Sequence, residues 1–177
     1  ALQEMLSTDM QFVLLGSGSP AYERGYHELA RRFPDKVAVR VGYNEGLAHR
    51  IEAGCDFYLM PSLFEPSGLN QMYSLRYGTI PVVRATGGLD DSVIDYTEDA
   101  ARANGIKFRE FSARALAKAI RKALALYEHP VLLRRFRQIA MKADFSWNQT
   151  IGEYLKAYKM AERFSAGRDL KNGARVR

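Results

Sequence analysis

A glutamate in a short loop is the first residue of this sequence that could do chemistry. Glu65 lies in the run Phe64-Glu65-Pro66-Ser67-Gly68-Leu69, directly after an apolar segment. A carboxylate in a loop that follows a strand can oppose positive charge developing in a bound molecule. A loop glutamate beside a proline is also commonly a solvated side chain without a further role. The residue type alone leaves both interpretations open.

A glycine-rich turn, Thr86-Gly87-Gly88, is the second such feature, and it precedes residues 89–93, which we expect to be helical. Backbone N–H groups at the start of a helix can converge on an anion, and glycine allows a phosphate to approach the backbone closely. A plain glycine turn is the alternative. Asp90 and Asp91 suit the helix dipole but would repel a phosphate, so we expect both to face solvent.

Strands and helices that alternate along the chain must position these two features. The predicted strands are 12–15, 36–41, 55–60, 79–83 and 105–108, and the predicted helices between them are 21–33, 45–53 and 67–77. Such alternation favours right-handed crossovers and an α/β fold with a doubly wound parallel sheet. Ligands of such sheets bind at the carboxyl ends of the strands, where the turns at Gly16, Gly42 and Gly87 and the loop 61–68 lie.

Three more helices are predicted after residue 110. Ser112 is a suitable N-cap for a helix to about Glu128, Pro130 begins a helix to Ala143, and Ser146 begins one to about Phe164. We therefore expect one domain over residues 1–164. Residues 165–177 are polar and basic, and we expect them to form a disordered tail.

The composition excludes several classes of protein. The chain has 177 residues, of which 47% are hydrophobic, so it is not disordered as a whole. No apolar run reaches the roughly 18 residues that a membrane helix needs. A single cysteine, Cys55, with three histidines offers no zinc-binding spacing, so we expect no metal. These features favour a reducing compartment and give no reason to expect a membrane partner.

Charge is distributed unevenly along the chain. Residues 1–100 contain 8 basic and 14 acidic side chains, whereas residues 101–177 contain 18 basic and 6 acidic ones. A basic half can bind nucleic acid or another polyanion, but the same charges also suit the solvated faces of helices. Both interpretations stay open at this point.

Several motifs, taken together, resemble a known family. Phe64–Leu69, Tyr77-Gly78-Thr79-Ile80-Pro81 and Thr86-Gly87-Gly88-Leu89 occur in order, with Leu15-Gly16-Ser17-Gly18, Gly42-Tyr43, His49-Arg50-Ile51 and Phe145-Ser146-Trp147 in support. As a set, over roughly residues 6–160, these motifs resemble the C-terminal half of bacterial glycogen synthases and plant starch synthases. Those proteins are retaining glycosyltransferases of the two-domain GT-B fold. The resemblance implies a Rossmann-like C-terminal domain whose first strand precedes residue 1.

The resemblance also implies a role for each motif at the donor site. Glu65 would contact the donor glucose and be needed for turnover. Backbone amides would hold the sugar and the diphosphate, in the predicted first helical turn after the Glu65 loop and in the glycine turn. The residues concerned are Ser67, Gly68, Leu69, Thr86, Gly87, Gly88 and Leu89.

Four further residues are implied at the nucleobase and ribose. Tyr43 would stack on adenine, although an aromatic residue at a turn can instead pack under its own loop. Gly16 and Gly18 suit a tight turn beside the nucleotide, but GxG alone is weak evidence. Tyr73 occupies the position at which many GT-B transferases have a second glutamate, so any ribose contact there must be made differently.

The implied reaction transfers glucose from ADP-glucose to the 4-hydroxyl at the non-reducing end of an α-1,4-glucan, with retention. It needs no metal or other cofactor, and it takes place in the bacterial cytoplasm or, alternatively, in the plastid stroma. We expect the chain alone to be inactive, because the N-terminal domain that binds the glucan lies outside it. A GT-B transferase using a UDP-sugar or another acceptor is one alternative, and a non-catalytic polyanion-binding module is another. The main interpretation has no nucleic-acid partner.

Overall fold

Alternating strands and helices build most of this chain. The computed structural model describes the backbone of residues 2–173 and the side chains to residue 164. The strands are β1 (Phe12–Gly16), β2 (Val37–Val41), β3 (Phe57–Met60), β4 (Ile80–Arg84) and β5 (Ile106–Phe108). The helices are α1 (Leu2–Met5), α2 (Pro20–Arg32), α3 (Glu45–Gly54), α4 (Asn70–Tyr77), α5 (Gly88–Ser92), α6 (Ala113–Tyr127), α7 (Pro130–Lys142) and α8 (Trp147–Gly173).

Every pair of neighbouring strands is parallel, so the carboxyl ends of paired strands lie at the same edge. β1 pairs with β2 in a two-stranded sheet, with Phe12 opposite Val37. β3, β4 and β5 form a second sheet in that order, with Phe57 opposite Ile80 and Val82 opposite Ile106. The α/β class with parallel strands is confirmed. The five strands form two sheets, because β1 and β3 do not pair with each other.

The central strand β4 is buried on both faces, as its continuous apolar sequence predicts. Ile80 and Val82 belong to a core cluster that includes Phe136 of α7, and neither is exposed to solvent. Val83 points to the opposite face, where it joins a second cluster with Leu89 of α5. The core therefore fixes the carboxyl end of β4, from which the glycine turn emerges.

Local sequence signals set most of the helix ends. Ser112 accepts a hydrogen bond from the Ala115 amide at the start of α6, and Gly78 ends α4 with φ of 79°. The predicted start of α4 at residue 67 is wrong, because the helix begins at Asn70 with Leu69 as its N-cap. Gly68 has φ of 75°, which is incompatible with a right-handed helix. The amides of residues 67–69 therefore belong to the loop.

The chain divides into two compact units, Ala1–Ala143 and Asp144–Arg177. In the second unit, the described side chains of α8 are exposed, and the rings of Trp147 and Tyr154 lie 5.5 Å apart. The backbone of α8 is helical to Gly173, beyond the predicted end near Phe164. Residues 174–177 of the predicted tail lie outside the described residues, so the tail and the boundary at residue 164 stay predictions. None of the described helices is long and apolar enough to cross a membrane.

Candidate donor-binding site

The loop after β3 and the turn after β4 contact each other directly at the carboxyl edge of the sheet. The Gly88 N–H donates to the carbonyl oxygens of Glu65 and Pro66, at 3.1 Å from each. The structure thus brings together the two features whose residue types indicated chemistry. Glu65 itself is half-buried, with its backbone carbonyl fixed by this bond.

Gly87 and Gly88 have no room for a side chain. A Cβ on Gly87 would lie 2.1 Å from the Glu65 carbonyl oxygen, and one on Gly88 would lie 2.2 Å from the Ser67 carbonyl oxygen. Gly87 also has φ of 48°, which side chains rarely tolerate. Both glycines are therefore required for the close approach of the turn to the Glu65 loop.

Replacing Gly87 with alanine should lower the free energy of unfolding of the 177-residue chain by about 2 to 4 kcal/mol, from strain and overpacking together. Urea unfolding measures this change. Gly25→Ala is the matched control, because Gly25 lies inside α2 and a methyl group added there would meet nothing within 4 Å. It should stabilise the chain by about 0.5 to 1 kcal/mol. Equal changes in the free energy of unfolding for Gly87→Ala and Gly25→Ala would contradict the close approach of Gly87 to the Glu65 loop.

The internal hydrogen bonds show which of the implied ligand amides are already used within the protein. The amides of Gly88 and Leu89 already donate inside the protein, to residues 65 and 66 and to the Thr86 carbonyl oxygen respectively. Leu89 also has a fully buried side chain. The implied ligand amides that donate to no acceptor among the described residues are those of Ser67, Gly68, Leu69, Thr86 and Gly87. Fewer backbone amides are therefore left for a ligand than the motif implies.

A buried glutamine, Gln71, holds the end of the Glu65 loop. Its side-chain amide donates to the carbonyl oxygens of Ser67, at 2.8 Å, and Gly68, at 3.1 Å, and to the Ser92 hydroxyl at 3.2 Å. Gln71 is completely buried. It was not among the predicted site residues, since a polar residue in the first turn of a helix gives no pattern that indicates this contact.

Lys107 fixes the first turn of α5. Its ammonium group lies 2.8 Å from both the backbone oxygen and a carboxylate oxygen of Asp90, and it also contacts Glu98. Burial by itself would lower the pKa of Lys107, but the hydrogen bonds to Asp90 and Glu98 raise it above its ordinary value. Asp90 is thus held by a cation rather than simply facing solvent, which corrects the expectation, whereas Asp91 is exposed.

A cavity of about 1240 Å³ brings most of the predicted nucleotide residues together. Gly16, Tyr43, Leu69 and Tyr73 line it along with residues of β1 and β3. Tyr43 is 87% exposed, so the alternative of packing under its own loop is wrong. Gly18 does not line this cavity, and its amide donates to the Glu23 carboxylate at the start of α2.

His49 and Glu52 of α3 also line this cavity, although neither was among the predicted site residues. The His49 ring lies 5.6 Å from that of Tyr73, and its Nδ1 is 3.2 Å from the Tyr77 hydroxyl. Glu52 is buried, and burial raises its carboxyl pKa, an effect that nearby His49 opposes. One Glu52 carboxylate oxygen has no hydrogen-bond partner among the described residues. Helix α3 therefore supplies polar groups to the cavity wall.

The described residues contain no cluster of three or more His, Cys, Asp or Glu side chains that could hold a metal ion. What the site offers instead is backbone amides, one half-buried carboxylate and an exposed aromatic face. Backbone amides can bind anionic groups, and an exposed aromatic face can stack on a planar ring.

A parallel α/β domain with a glycine turn and a carboxylate loop at the carboxyl ends of its strands is a Rossmann-like domain, in which ligands bind at that edge. Residues 1–142 match the model of the family described as glycosyl transferases group 1, and the chain belongs to this family.

Relatives of known name agree with this assignment. The chain is 51% identical over 159 residues to glycogen synthase of Anaeromyxobacter sp. (strain K), covering 90% of the chain and 33% of that protein. It is 44% identical over 172 residues to glycogen synthase of Kosmotoga olearia, covering 97% of the chain and 36% of that protein. The chain thus spans about a third of the length of these relatives.

A solved structure confirms the fold. The catalytic domain of starch synthase IV from Arabidopsis thaliana, bound to ADP and acarbose, matches with a TM-score of 0.78 and 34% identity. The match covers 90% of this chain and 34% of that one. The resemblance to glycogen and starch synthases inferred from the motifs is therefore confirmed.

Proposed function

We propose that this chain is the donor-binding domain of a glycogen or starch synthase. The enzyme transfers glucose from ADP-glucose to the 4-hydroxyl at the non-reducing end of an α-1,4-glucan, with retention. The hydrogen bond from the Gly88 amide to the Glu65 carbonyl oxygen carries this proposal. It places the glycine turn, which is of a kind that can bind phosphate, directly beside the loop that carries the Glu65 carboxylate. The named relatives and the ADP-bound structural relative support it.

In the proposed mechanism, backbone amides bind the diphosphate and the sugar. The amides of Ser67, Gly68, Leu69, Thr86 and Gly87 donate to phosphate or hydroxyl oxygens and stabilise the negative charge of the leaving group. No protein-bound metal or other cofactor takes part. Such preorganised donors need little rearrangement as the bond to the sugar breaks.

Glu65 acts on the other side of the same bond. Positive charge develops at the anomeric carbon as the diphosphate leaves, and the Glu65 carboxylate opposes this charge. The acceptor hydroxyl then attacks from the face that the diphosphate leaves, and its proton passes to an oxygen of the departing diphosphate. This same-face attack gives retention. The two backbone bonds from Gly88 hold the loop so that the carboxylate stays in place.

Tyr43 provides the face on which the adenine ring stacks. Replacing Tyr43 with alanine should weaken the binding of ADP and ADP-glucose about 10-fold, since stacking contributes roughly 1 to 3 kcal/mol per base. Amide-shift NMR titration of the 177-residue chain with ADP, ADP-glucose and UDP measures this. The signals of Tyr43 and of residues 86–89 should shift, and ADP should bind more tightly than UDP.

Tyr22→Ala is the matched control for this titration, because Tyr22 is also well exposed, at 73%, and does not line the cavity. Its nucleotide affinity should equal that of the wild type. Tighter binding of UDP than of ADP would instead favour a UDP-sugar transferase. A spectrum that no nucleotide changes would contradict the donor-site assignment for this chain.

The polyanion alternative has its own structural feature. A groove of about 450 Å³ beside β5 and α6 is lined by Arg109, Arg114, Lys118 and Lys122, among others. These are exposed side chains on a helix face and the adjoining loop, and solvated charges of this kind are common on helices. Steeply salt-dependent binding of RNA or DNA would favour the alternative over the synthase.

Two further parts of the proposal concern the whole protein. The glucan binds mainly to an N-terminal domain outside this chain, so the chain alone binds donor without transferring it. The enzyme acts in the cytoplasm of a bacterium, or in the plastid stroma if the host is a plant. The named glycogen synthases come from bacteria, which supports the first location.

A further inference from the structure

Arg84, the last residue of β4, contacts the upstream end of the loop that carries Glu65. Its Nε donates to the Ser62 carbonyl oxygen at 2.6 Å, and its Nη2 donates to the Leu63 carbonyl oxygen. Its Nη1 lies 3.4 Å from the Arg109 carbonyl oxygen, and the guanidinium stands 5.9 Å from the centre of the Phe111 ring. The planar fork of the guanidinium is thus directed at main-chain oxygens.

Side-chain packing contributes little to the order of this part of the loop. Leu63 is 67% exposed and Phe64 is 74% exposed, so neither anchors the loop in a core. The downstream part is held by the Gly88 amide at residues 65 and 66 and by Gln71 at residues 67 and 68. Among the described side chains, Arg84 provides the hydrogen bonds to residues 62 and 63.

We propose that Arg84 is a positioning residue for Glu65, an inference that rests on the proposed function. Arg84 bonds to the two residues that precede Phe64, and the Gly88 amide bonds to Glu65 itself, so the loop is fixed on both sides of the carboxylate. The guanidinium acts through the backbone. Its loss leaves the nucleotide-contacting amides and Tyr43 in place but lets the carboxylate move away from the anomeric carbon.

The fork geometry makes the requirement specific to arginine. A guanidinium can donate to two neighbouring carbonyl oxygens from fixed directions, whereas a lysine ammonium is a single point of donation on a flexible stem. Lysine at position 84 can therefore replace one of the two loop bonds. We therefore expect kcat of Arg84→Lys to lie between that of the wild type and that of a variant whose side chain has no hydrogen-bond donor.

The test uses the full-length protein that contains this chain, with Arg84→Lys and Arg84→Met. For Arg84→Met we expect kcat for glucosyl transfer to fall about 30-fold, while KM for ADP-glucose changes less than about 3-fold, and Arg84→Lys should recover part of kcat. Arg121→Met is the control, because Arg121 of α6 forms its ion pair, at 2.9 Å, with Glu4 of α1 and not with the Glu65 loop. Its kcat should match the wild type.

Backbone 15N relaxation of the 177-residue chain gives a second readout that does not depend on activity. The order parameters of the amides of residues 62–65 should fall from about 0.85 to below about 0.6 in Arg84→Met, with those in β4 and α7 unchanged. If the wild-type full-length protein transfers no glucose, the proposed function fails, and this relaxation measurement still decides whether Arg84 orders the loop. Unchanged order parameters in the loop, or a fall in kcat that matches a lower folded fraction, would overturn the proposal.

Discussion

Replacing Glu65 with glutamine in the full-length protein is expected to lower kcat for glucosyl transfer by about 100- to 1000-fold, the range found when one preorganised transition-state contact is removed. Glutamine keeps the size of the side chain but removes the negative charge that, in the proposed mechanism, opposes the positive charge at the anomeric carbon. The Gly88 amide bonds to the backbone oxygen of residue 65, so the substitution leaves the loop in place. Steady-state kinetics with ADP-glucose and a glucan measures kcat and KM.

Affinity for ADP separates a chemical effect from a structural one. ADP lacks the glucose that Glu65 is proposed to contact, so its dissociation constant should stay within about 2-fold of the wild-type value in Glu65→Gln. Glu128→Gln, at the exposed end of α6, is the control and should leave kcat unchanged. A kcat for Glu65→Gln within about 3-fold of the wild type would show that the carboxylate does not take part.

The elements that place Glu65 could be predicted because local signals determine them. The continuous apolar sequence of β4 indicates a strand buried on both faces, as the structure has it. Gly78 ends helix α4 and Ser112 begins helix α6, as their residue types indicate. The motifs also placed the glycine turn and the Glu65 loop at strand carboxyl ends. In a parallel sheet those ends lie together, so sequence order and strand type were sufficient.

Contacts to main-chain oxygens could not be predicted, since they impose no pattern on the residue type of their acceptors. Gln71 and Arg84 bind carbonyl groups of residues 62, 63, 67 and 68, and any residue supplies a carbonyl. The same reason explains why the Gly88 amide was expected to bind phosphate, although it donates to Glu65 and Pro66. The later start of α4 depends on the left-handed backbone of Gly68, which the motif did not indicate.

The 177-residue chain alone is expected to show no measurable glucan elongation, with a rate about 1000-fold or more below that of the full-length protein. Its donor groups lie at one edge of a single domain, and transfer requires an acceptor held against them at near-attack distance. β1 and β3 do not pair with each other, and the cavity of about 1240 Å³ is lined by residues of both. We propose that a strand upstream of these residues fills only the part of the cavity between β1 and β3 and pairs with both, which leaves the end lined by Gly16, Tyr43 and Tyr73 for the nucleotide.

Three proteins test this expectation: the 177-residue chain, the chain extended upstream through one more strand, and the full-length protein. Only the full-length protein should incorporate labelled glucose into glucan. The extended chain should bind ADP more tightly than the 177-residue chain does, because the added strand fixes β1 and β3 and thereby the positions of Gly16 and Tyr43. Elongation by the chain alone would contradict the two-domain requirement. Edge amides without partners exchange rapidly. Slow amide exchange at the facing edges of β1 and β3 in the 177-residue chain would therefore contradict the proposed strand between them.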